Sequence, residues 1–345
     1  MFDWTWAYAF FIITMITLKE LAKQLNVSVS TVSKALHDAK DIGEDTKKRI
    51  KEAAELYNYR PNKTALALKV NKTNTIGVII PDILNSFFAK VLHGIEEYAT
   101  AHNYDTMVCV SHEQLKKEAK SVDLLMQGRV DGLILSLSTE SLAKDNFFHL
   151  DQILLNKKGL VLFDRTTPDV DCDKVVIDDM KSMYDATQAL LSQGKSKIAF
   201  ISNIEDLNVG QLRKKGYENA LKDNGLDVNP ELKLNLTAAK DPHRLIKTFL
   251  NHHQIDGVIS ADNTTSIMFH SVLKTERPNS YSDIQLIGFS DHKNSLLSYP
   301  RINYIEQNAM KIGVKAAELL INRLEKKTTN PTPVTFEMPT EIHMT

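Results

Sequence analysis

A run of hydroxyl side chains near the start of the chain is the first candidate for chemistry. The segment NVSVSTVSKAL, residues 26–36, contains four of them: Ser28, Ser30, Thr31 and Ser33. The apolar spacing around them is helical, although hydroxyl residues are mediocre helix formers because their side chains compete for backbone hydrogen bonds. Short polar side chains can reach base edges where a helix approaches a DNA groove closely. A hydroxyl-rich helix therefore suggests contact with a polar partner.

The flanking sequence supplies the elements that would position this run. Three helices are predicted, with approximate bounds at residues 18–25, 28 or 30 to 36, and 44–57. Asn26 interrupts the apolar pattern between the first two. The third helix is expected to bury Ile50, Ala53, Ala54 and Tyr57. Two short helices joined by a tight turn and braced by a third form a helix-turn-helix, whose second helix enters the major groove.

The charge of the chain is divided unevenly. The whole chain has a net charge of −1, but residues 15–72 contain twelve Lys or Arg against seven Asp or Glu, a net charge of +5. Residues 73–345 carry −5. A basic segment on an acidic body indicates a polyanionic partner for that segment alone.

Two segments flank the basic helices. Residues 1–14 hold both tryptophans and no basic residue, so they lack the positive start of a signal peptide and are too short to span a bilayer. We expect an upstream extension, with a functional start near Met15; a membrane-surface anchor is the alternative. After Pro61, which must end a helix, NKTALALK is compatible with a helix of eight residues. Such a helix is too short to be stable alone, so we expect it to form only when held.

Beyond Thr75 the chain alternates strand and helix signals. Apolar, β-branched runs occur at TIGVIIPD, YDTMVCV, VDGLILSLS, GLVLFDR and KVVIDD, and then at KIAFISN, LKLNL, DGVISADN, IQLIGFSD and RINYIEQ. This rhythm predicts two successive parallel-sheet halves, each with its ligand groups at the carboxyl ends of its strands.

Motifs for catalysis are sparse. The chain has no GxSxG, no HExxH and no GxGxxG at a strand–helix junction. ALLSQGKS, residues 189–196, lacks the first glycine of a phosphate-binding loop and reads as the end of a helix. Cys109 and Cys172 are far apart, and the pair His252 and His253 is interpreted as a solvated turn. We therefore expect no enzyme activity, no metal and no cofactor.

Seven segments carry a resemblance to a known family. TLKELAKQLNVSVSTVSKAL, YRPNKTALAL, IGVIIPDILNSFFAKVLHGIE, VDGLIL, VLFDR, IGFSD and INYIEQ occur in this order between about residues 16 and 342. Together they resemble the lactose and galactose repressor (LacI/GalR) family of bacterial transcription regulators. The resemblance implies an all-α helix-turn-helix domain with a hinge helix, followed by an α/β periplasmic-binding-protein-like core of two Rossmann-like lobes. It also implies a cytoplasmic homodimer, without membrane contact, that binds a palindromic double-stranded DNA operator under the control of a small, sugar-like effector.

The resemblance assigns three sets of DNA contacts. Base contacts would come from Val29, Ser30 and Lys34, with Lys34 where arginine is common. Contacts to phosphates, or control of the orientation of the helix, would come from Ser28, Thr31, Ser33 and Asn62. In the hinge helix Leu68 would wedge into the minor groove, and Ala65 would let two helices approach closely. Packing of Val29 against the next turn is the alternative.

The resemblance also assigns an effector site between the lobes. By position it would contain Asn85, Phe87, Phe88, Asp164, Arg165, Arg213, Asp262, Ser290, Asp291 and Gln307. Aromatic faces with Arg and Asp groups suit a polyhydroxylated ring. Ser290 stands where many relatives have a carboxylate, which weakens a standard sugar contact there, and Asp291 is the candidate substitute. Two alternatives stay open: a plain ion pair between Asp164 and Arg165, and a core position for Phe87 or Phe88.

The expected domains follow from these assignments. They are 1–14, the extension; 15–60, the helix-turn-helix; 61–73, the hinge helix and linker; 74–177 with 307–325, the first lobe; and 178–306 with 326–345, the second lobe. The tail after Leu324 reads as a linker and a final strand rather than a tetramerising heptad repeat. A transport-type sugar-binding protein without a DNA function is the alternative, which would explain the body but not the basic segment.

Overall fold

The computed structural model describes residues 16–59, 72–279, 281–327 and 332–345. These residues fall into two units, divided after Thr73. The predicted extension at 1–14 lies outside the described residues, and so does the predicted hinge helix with Asn62, Ala65 and Leu68.

The first unit contains α1 (Leu18–Leu25), α2 (Val29–Leu36) and α3 (Glu44–Leu56). A capping box begins α1: the Thr17 hydroxyl accepts from the backbone N–H of Glu20, and the Glu20 carboxylate accepts from the backbone N–H of Thr17. Asn26 ends α1 in the left-handed conformation, with φ 52°. Asparagine tolerates this conformation better than most residues, so the chain turns directly into α2.

A small apolar core joins the three helices. It consists of Leu21, Ala22, Val32, Ala35, Ile50 and Ala54. The hydroxyl-rich α2 therefore owes its stability to burial of its apolar face rather than to its own propensity. Tyr57 is 41% exposed, so its predicted burial is wrong; α3 ends at Leu56, and Tyr57 is already its C-cap.

The second unit alternates strands and helices along the chain. Its elements are β1 (Thr75–Ile80), α4 (Ser86–Ala101), β2 (Asp105–Val110), α5 (Leu115–Met126), β3 (Gly132–Leu135), α6 (Thr139–Ala143), α7 (Phe148–Leu155), β4 (Gly159–Phe163), β5 (Asp173–Val176), α8 (Asp179–Leu191), β6 (Ile198–Ser202), α9 (Asn208–Asp223), β7 (Lys233–Asn235), α10 (Pro242–His252), β8 (Gly257–Ser260), α11 (Asn263–Glu276), β9 (Gln285–Ser290), α12 (His292–Leu297), β10 (Asn303–Glu306), α13 (Ala309–Leu324), β11 (Thr335–Glu337) and β12 (Glu341–His343). Short 3₁₀ turns lie at Pro230–Leu232 and Tyr281–Asp283.

Two six-stranded sheets divide this unit into lobes. The first sheet has the order β11-β5-β4-β3-β1-β2 and the second has the order β12-β10-β9-β8-β6-β7. All pairings are parallel except that of β10 with β12. The central strands are buried along their whole length, which is why they read as continuous apolar runs. The predicted two-lobe α/β fold is confirmed, and within the described ranges no helix is long and apolar enough to cross a bilayer.

Each lobe has a pair of helices that approach closely at glycine. In the first lobe, α4 packs against α13, and a Cβ on Gly313 would lie 2.0 Å from the carbonyl oxygen of Val91. In the second lobe, α8 packs against α9, and a Cβ on Gly216 would lie 2.1 Å from the carbonyl oxygen of Met180. Any larger residue would force these helices apart.

The end of the chain departs from the prediction that residues 326–345 belong to the second lobe. β11 pairs with β5 of the first sheet, whereas β12 pairs with β10 of the second. The carboxylate of Asp173 accepts from the backbone N–H of Val334 at 2.8 Å and also forms an ion pair with Arg323 of α13. Because β5 would otherwise be an open edge, it takes up β11, and the assignment of the whole tail to the second lobe is wrong.

Candidate DNA-binding helix and ligand cleft

Helix α2 presents its polar face away from the core of the first unit. Val29, Ser30 and Lys34 are exposed, while Val32 and Ala35 are buried. Val29 is 39% exposed, so part of its side chain is open to a partner. This face is therefore available to a partner.

The hydroxyl groups at the start of α2 form a cap. Ser28 is the N-cap, and its hydroxyl accepts from the backbone N–H of Thr31 at 3.0 Å. Its oxygen also lies 2.7 Å from the Ser30 Oγ and 2.8 Å from the Thr31 Oγ1. N-capping offsets the weak helix propensity of the segment. Ser28 is thus a structural cap, whereas Ser33 is half-exposed one turn further along.

Lys34 has an acidic neighbour within the same unit. It forms an ion pair with Asp41, and this hydrogen bond lowers the pKa of Asp41. The two side chains are 54% and 56% exposed. Exposed pairs of this kind contribute little to stability, so Lys34 can exchange Asp41 for another anion or for a guanine.

In the second unit, the predicted effector residues follow the carboxyl ends of strands in both lobes. Three contacts join the lobes along this edge: Asn208 Nδ2 to the carbonyl oxygen of Thr166 at 3.0 Å, Asn263 Nδ2 to Ser86 Oγ at 3.2 Å, and Lys90 Nζ to Asp291 Oδ2 at 2.7 Å. The strand ends of the two sheets therefore face each other across a cleft, as open α/β sheets do at their ligand sites.

Arg213 of α9 lies at the centre of the charged part of the cleft. Its side chain is 5% exposed. Nε donates to Asp179 and Nη1 donates to the carbonyl oxygen of Ala261, each at 2.7 Å. The guanidinium carbon lies 3.7 Å from the ring centroid of Phe289. Within the described ranges Nη2 has no hydrogen-bond partner, so one donor edge of the guanidinium is uncommitted.

Asp164 lies at the end of β4, in the first lobe. Its φ is 57°, a conformation that stores strain in a residue other than glycine, and its side chain is 11% exposed. Arg165 Nε is 3.9 Å from its carboxylate, and no hydrogen-bond donor reaches that carboxylate from the part of the chain that the structure describes. Burial raises the pKa of Asp164, although the positive charges of Arg165 and Arg213 oppose the rise. A nearly buried acceptor without a donor is costly unless a bound molecule supplies one.

Arg165 is paired with a residue that sequence reasoning missed. Its Nη1 donates to both carboxylate oxygens of Glu113, at 2.9 and 2.7 Å. The alternative of a plain ion pair with Asp164 is therefore not the main contact of Arg165. Glu113 also accepts from the backbone N–H and the hydroxyl of Thr139, each at 2.8 Å, and its own φ is 61°.

The two phenylalanines predicted for the effector site differ in burial. Phe88 is 1% exposed and lies edge-on to Phe163, so the alternative of a core position holds for Phe88. Its ring still lies 5.3 Å from the guanidinium carbon of Arg165. Phe87 is half-buried, and Asn85 caps α4 by accepting from the backbone N–H of Phe87 at 3.0 Å.

Asp179, at the start of α8, is the second residue that sequence reasoning missed. Burial raises its pKa to about 6; Arg213 acts in the opposite direction, and the negative charge of Asp164 adds to the rise. The signal was available, because Asp179 is the last residue of the segment KVVIDD, two positions after its apolar part. Polar residues at the ends of such runs are the ones that parallel sheets use for ligands.

Two predicted acids of the second lobe act as helix caps. Asp262 is the N-cap of α11: it accepts from the backbone N–H of Thr265 at 2.9 Å and from the Thr265 hydroxyl at 2.6 Å. Asp291 is the N-cap of α12, accepting from the backbone N–H of Asn294 at 2.9 Å, and also bonds to Lys90. Capping occupies their carboxylates, which leaves less of each for a ligand.

Asn263 takes the position that Asp262 was predicted to hold at the lobe boundary. Its amide oxygen accepts from Ser290 Oγ at 2.9 Å and from Asn294 Nδ2 at 3.2 Å, while its amide nitrogen reaches Ser86. Ser290 therefore belongs to an uncharged polar cluster. Gln307 is half-buried in the segment between β10 and α13.

Comparison with known proteins decides the family. Residues 73–341 match the family described as "Periplasmic binding proteins and sugar binding domain of LacI family", and residues 17–62 match "Bacterial regulatory proteins, lacI family". This chain belongs to the LacI family. Among its relatives, the HTH-type transcriptional regulator RegA of Clostridium saccharobutylicum is 32% identical over 317 residues, which cover 90% of this chain and 93% of RegA.

Two further LacI-family proteins are similar over nearly the whole chain. The HTH-type transcriptional repressor PurR of Aliivibrio fischeri (strain MJ11) is 28% identical over 344 residues, covering 95% of this chain and 97% of PurR. The lac repressor dimer bound to operator and the anti-inducer ONPF has the same fold, with a TM-score of 0.81, 17% identity, and coverage of 95% of this chain and 98% of that one. The chain is therefore a LacI-family DNA-binding transcriptional regulator, and the transport-protein alternative does not account for the match at residues 17–62.

Proposed function

We propose that this LacI-family regulator binds a palindromic DNA operator as a homodimer, and that a small polyhydroxylated effector held between its lobes sets the affinity. A regulator of this kind works in the bacterial cytoplasm, where the DNA is. The observation that carries the DNA-binding part is the exposed face of α2, with Val29, Ser30 and Lys34 outward over a buried apolar face.

The side chains on that face suit the major groove. A Val29 methyl group can contact the methyl group of thymine, the Ser30 hydroxyl can bond to several bases, and Lys34 can donate to guanine O6 or N7. Thr31 and Ser33 would contact phosphates, while Ser28 holds the first turn. Phosphate contacts would fix the register of the helix, and the three outward side chains would select the sequence.

We expect a homodimer because a single recognition helix is too short to contact a whole operator. One α2 reads only a half-site, and a two-fold axis through a dimer matches a palindromic operator. The similar lac repressor structure is described as a dimer bound to operator, which supports the same arrangement here.

The effector part rests on three groups of the cleft that have no hydrogen-bond partner within the described ranges: the Asp164 carboxylate, Arg213 Nη2 and Arg165 Nη2. Asp164 needs a donor and Arg213 Nη2 needs an acceptor, and a hydroxyl group supplies both. A molecule that bound both lobes would favour one angle between them over another. Effector binding and DNA binding would then be coupled reciprocally.

Selection of binding sites from random duplex DNA tests the DNA-binding part. The full chain should select a sequence with two-fold symmetry, and its affinity should fall with salt by a log–log slope of about −0.9 per neutralised phosphate. Lys34→Ala should change the selected bases, because it removes a base contact. Lys48→Ala, on the exposed face of α3, is the matched control and should leave the selected sequence unchanged. Asymmetric sites would contradict the dimer, and a flat salt response would contradict phosphate binding.

A further inference from the structure

We infer that the cleft of this regulator takes an uncharged polyhydroxylated molecule and rejects the phosphorylated or carboxylated form of the same molecule. The inference rests on the proposed effector site and narrows its ligand class. The observation behind it is that the uncommitted acceptor of Asp164 lies in a cluster whose two guanidinium groups are already bonded to Glu113 and Asp179.

Asp164 requires a hydrogen-bond donor from the ligand. Its carboxylate is only 11% exposed, and within the described ranges no protein donor reaches it. Hydroxyl groups can donate, whereas ionised phosphate and carboxylate groups can only accept. An anionic group placed here would leave Asp164 without a donor and would add a like charge beside it.

Arg213 provides the matching donor but not a free positive charge. Its Nε is bonded to Asp179 at 2.7 Å and its Nη1 to a backbone carbonyl oxygen, so Nη2 is the edge that remains. A ligand hydroxyl can accept from Nη2, and a hydroxyl of the same ligand can donate to Asp164. The Phe289 ring, 3.7 Å from the guanidinium carbon, lies beside the same guanidinium group.

The charge balance of the cluster opposes an anion. Its ionisable members are Glu113, Asp164, Asp179 and Asp262 against Arg165 and Arg213. With every group ionised the cluster carries −2, and each cation already forms an ion pair with a carboxylate, Arg165 with Glu113 and Arg213 with Asp179. The neighbouring helices supply no unpaired positive charge from Lys90 or Lys214. Lys90 is paired with Asp291 at 2.7 Å, and Lys214 is paired with Glu205 at 3.0 Å. A phosphate group would add up to two negative charges without a counterion.

Matched ligand pairs test the inference on the full chain. Melting of the protein is followed at about pH 7 and at a higher pH, which favours the ionised carboxylates, with glucose and glucose 6-phosphate, glucose and gluconate, and ribose and ribose 5-phosphate. Hypoxanthine is the uncharged comparison compound that is not polyhydroxylated. We expect at least one uncharged sugar to raise the melting temperature, and its anionic partner to bind at least about 100-fold more weakly. Equal or tighter binding of an anionic partner overturns the inference, and so does the lack of a shift from every uncharged sugar.

The variant Asp164→Asn tests whether Asp164 is the residue that discriminates between uncharged and anionic ligands. Asparagine accepts the φ of 57°, so the backbone is preserved. The variant should bind the uncharged sugar at least about tenfold more weakly and should lose most of its discrimination against the anionic partner. Asp145→Asn is the matched control, because Asp145 also has a positive φ, 48°, but lies exposed after α6. Unchanged discrimination in Asp164→Asn would refute the assignment.

The same measurements separate this inference from the proposed function. If an anionic sugar shifts the melting of the wild-type chain and Asp164→Asn abolishes the shift, the effector cleft stands and its charge class is wrong. If hypoxanthine does so, the cleft stands and the polyhydroxylated class of its ligand is wrong. If no shift depends on Asp164, the cleft itself is wrong. Operator selection is interpreted separately from either result, because it tests the contacts of α2 and the symmetry of the site rather than the cleft.

Discussion

Asp179 makes the stability of the second unit depend on pH in an unusual direction. Its pKa rises from 3.8 to about 6 because the side chain is buried, and the charge of Asp164 adds to the effect. A carboxyl group whose pKa is raised on folding binds protons more tightly in the folded chain than in the unfolded chain. It therefore stabilises the fold fully below pH 3.8, and this contribution is lost as pH rises through about 6.

The contribution of Asp179 to the unfolding free energy follows from the change in its pKa on folding. A difference of about two pKa units, at about 1.4 kcal/mol per unit, is roughly 3 kcal/mol of unfolding free energy across the whole window. Between about pH 7.5 and about pH 5, one unit below the folded pKa, the gain is roughly 1.4 kcal/mol. The side chain of Asp179 is 5% exposed, so solvent screens little of this.

Urea unfolding at a series of pH values measures the contribution. Asp179→Asn cannot titrate, so its unfolding free energy should rise less than that of the wild-type chain as pH falls from about 7.5 to about 5, by roughly 1.4 kcal/mol. Asp185→Asn is the control on the same helix, since Asp185 is 43% exposed and pairs only with Lys181 across one turn. Its pH dependence should parallel the wild type. The same slope in Asp179→Asn and in the wild type would refute the reasoning.

Two further predictions concern packing and capping. Ser28→Ala removes the N-cap of α2 and should destabilise the first unit by about 1 kcal/mol, seen as faster hydrogen exchange of the α2 amides; unchanged exchange would show that the cap is dispensable. Gly216→Ala places a Cβ 2.1 Å from a backbone carbonyl oxygen, whereas Gly77→Ala meets the flexible end of Leu125 at 2.9 Å. Urea unfolding should show a loss of about 3 kcal/mol for Gly216→Ala and a clearly smaller loss for Gly77→Ala, and equal losses would contradict the packing argument.

Most of the fold could be predicted from the sequence because buried parallel strands are continuous apolar runs. Every strand from β1 to β10 lies within a run identified in that way, except that β5 begins one residue before its run, at Asp173. The tail was predicted to hold one final strand, whereas it holds two, β11 and β12, each three residues long. Their partners lie far away along the chain, and β11 pairs across to the other lobe, which no local signal specifies.

Site residues could be predicted from the sequence only where the position of a residue relative to a strand or to a family motif indicates its role. Two of the predicted residues in the cleft, Asp164 and Arg165, could be found because they directly follow a strand. Arg213 could be found because it matches a helix pattern of the family. Glu113 follows no predicted strand end, and the pairings of Arg165 with Glu113 and of Arg213 with Asp179 could not be assigned, because they join residues 52 and 34 positions apart in sequence. Asp262 and Asp291 illustrate the converse error, since a carboxylate at the end of a strand is also the ideal cap for the helix that follows.

The route of the tail has a mechanical consequence for the lobes. The chain passes between them three times: after β5, after β10, and between β11 and β12. These passages are bonded sideways, through the Met338 N–H to the Val176 carbonyl oxygen at 2.7 Å and through Asn308 Nδ2 to the Pro339 carbonyl oxygen at 3.0 Å. Connections that run side by side and are hydrogen-bonded to one another favour opening and closing of the lobes over sliding or twisting between them. The opening angle is therefore the motion that we expect a ligand in the cleft to change.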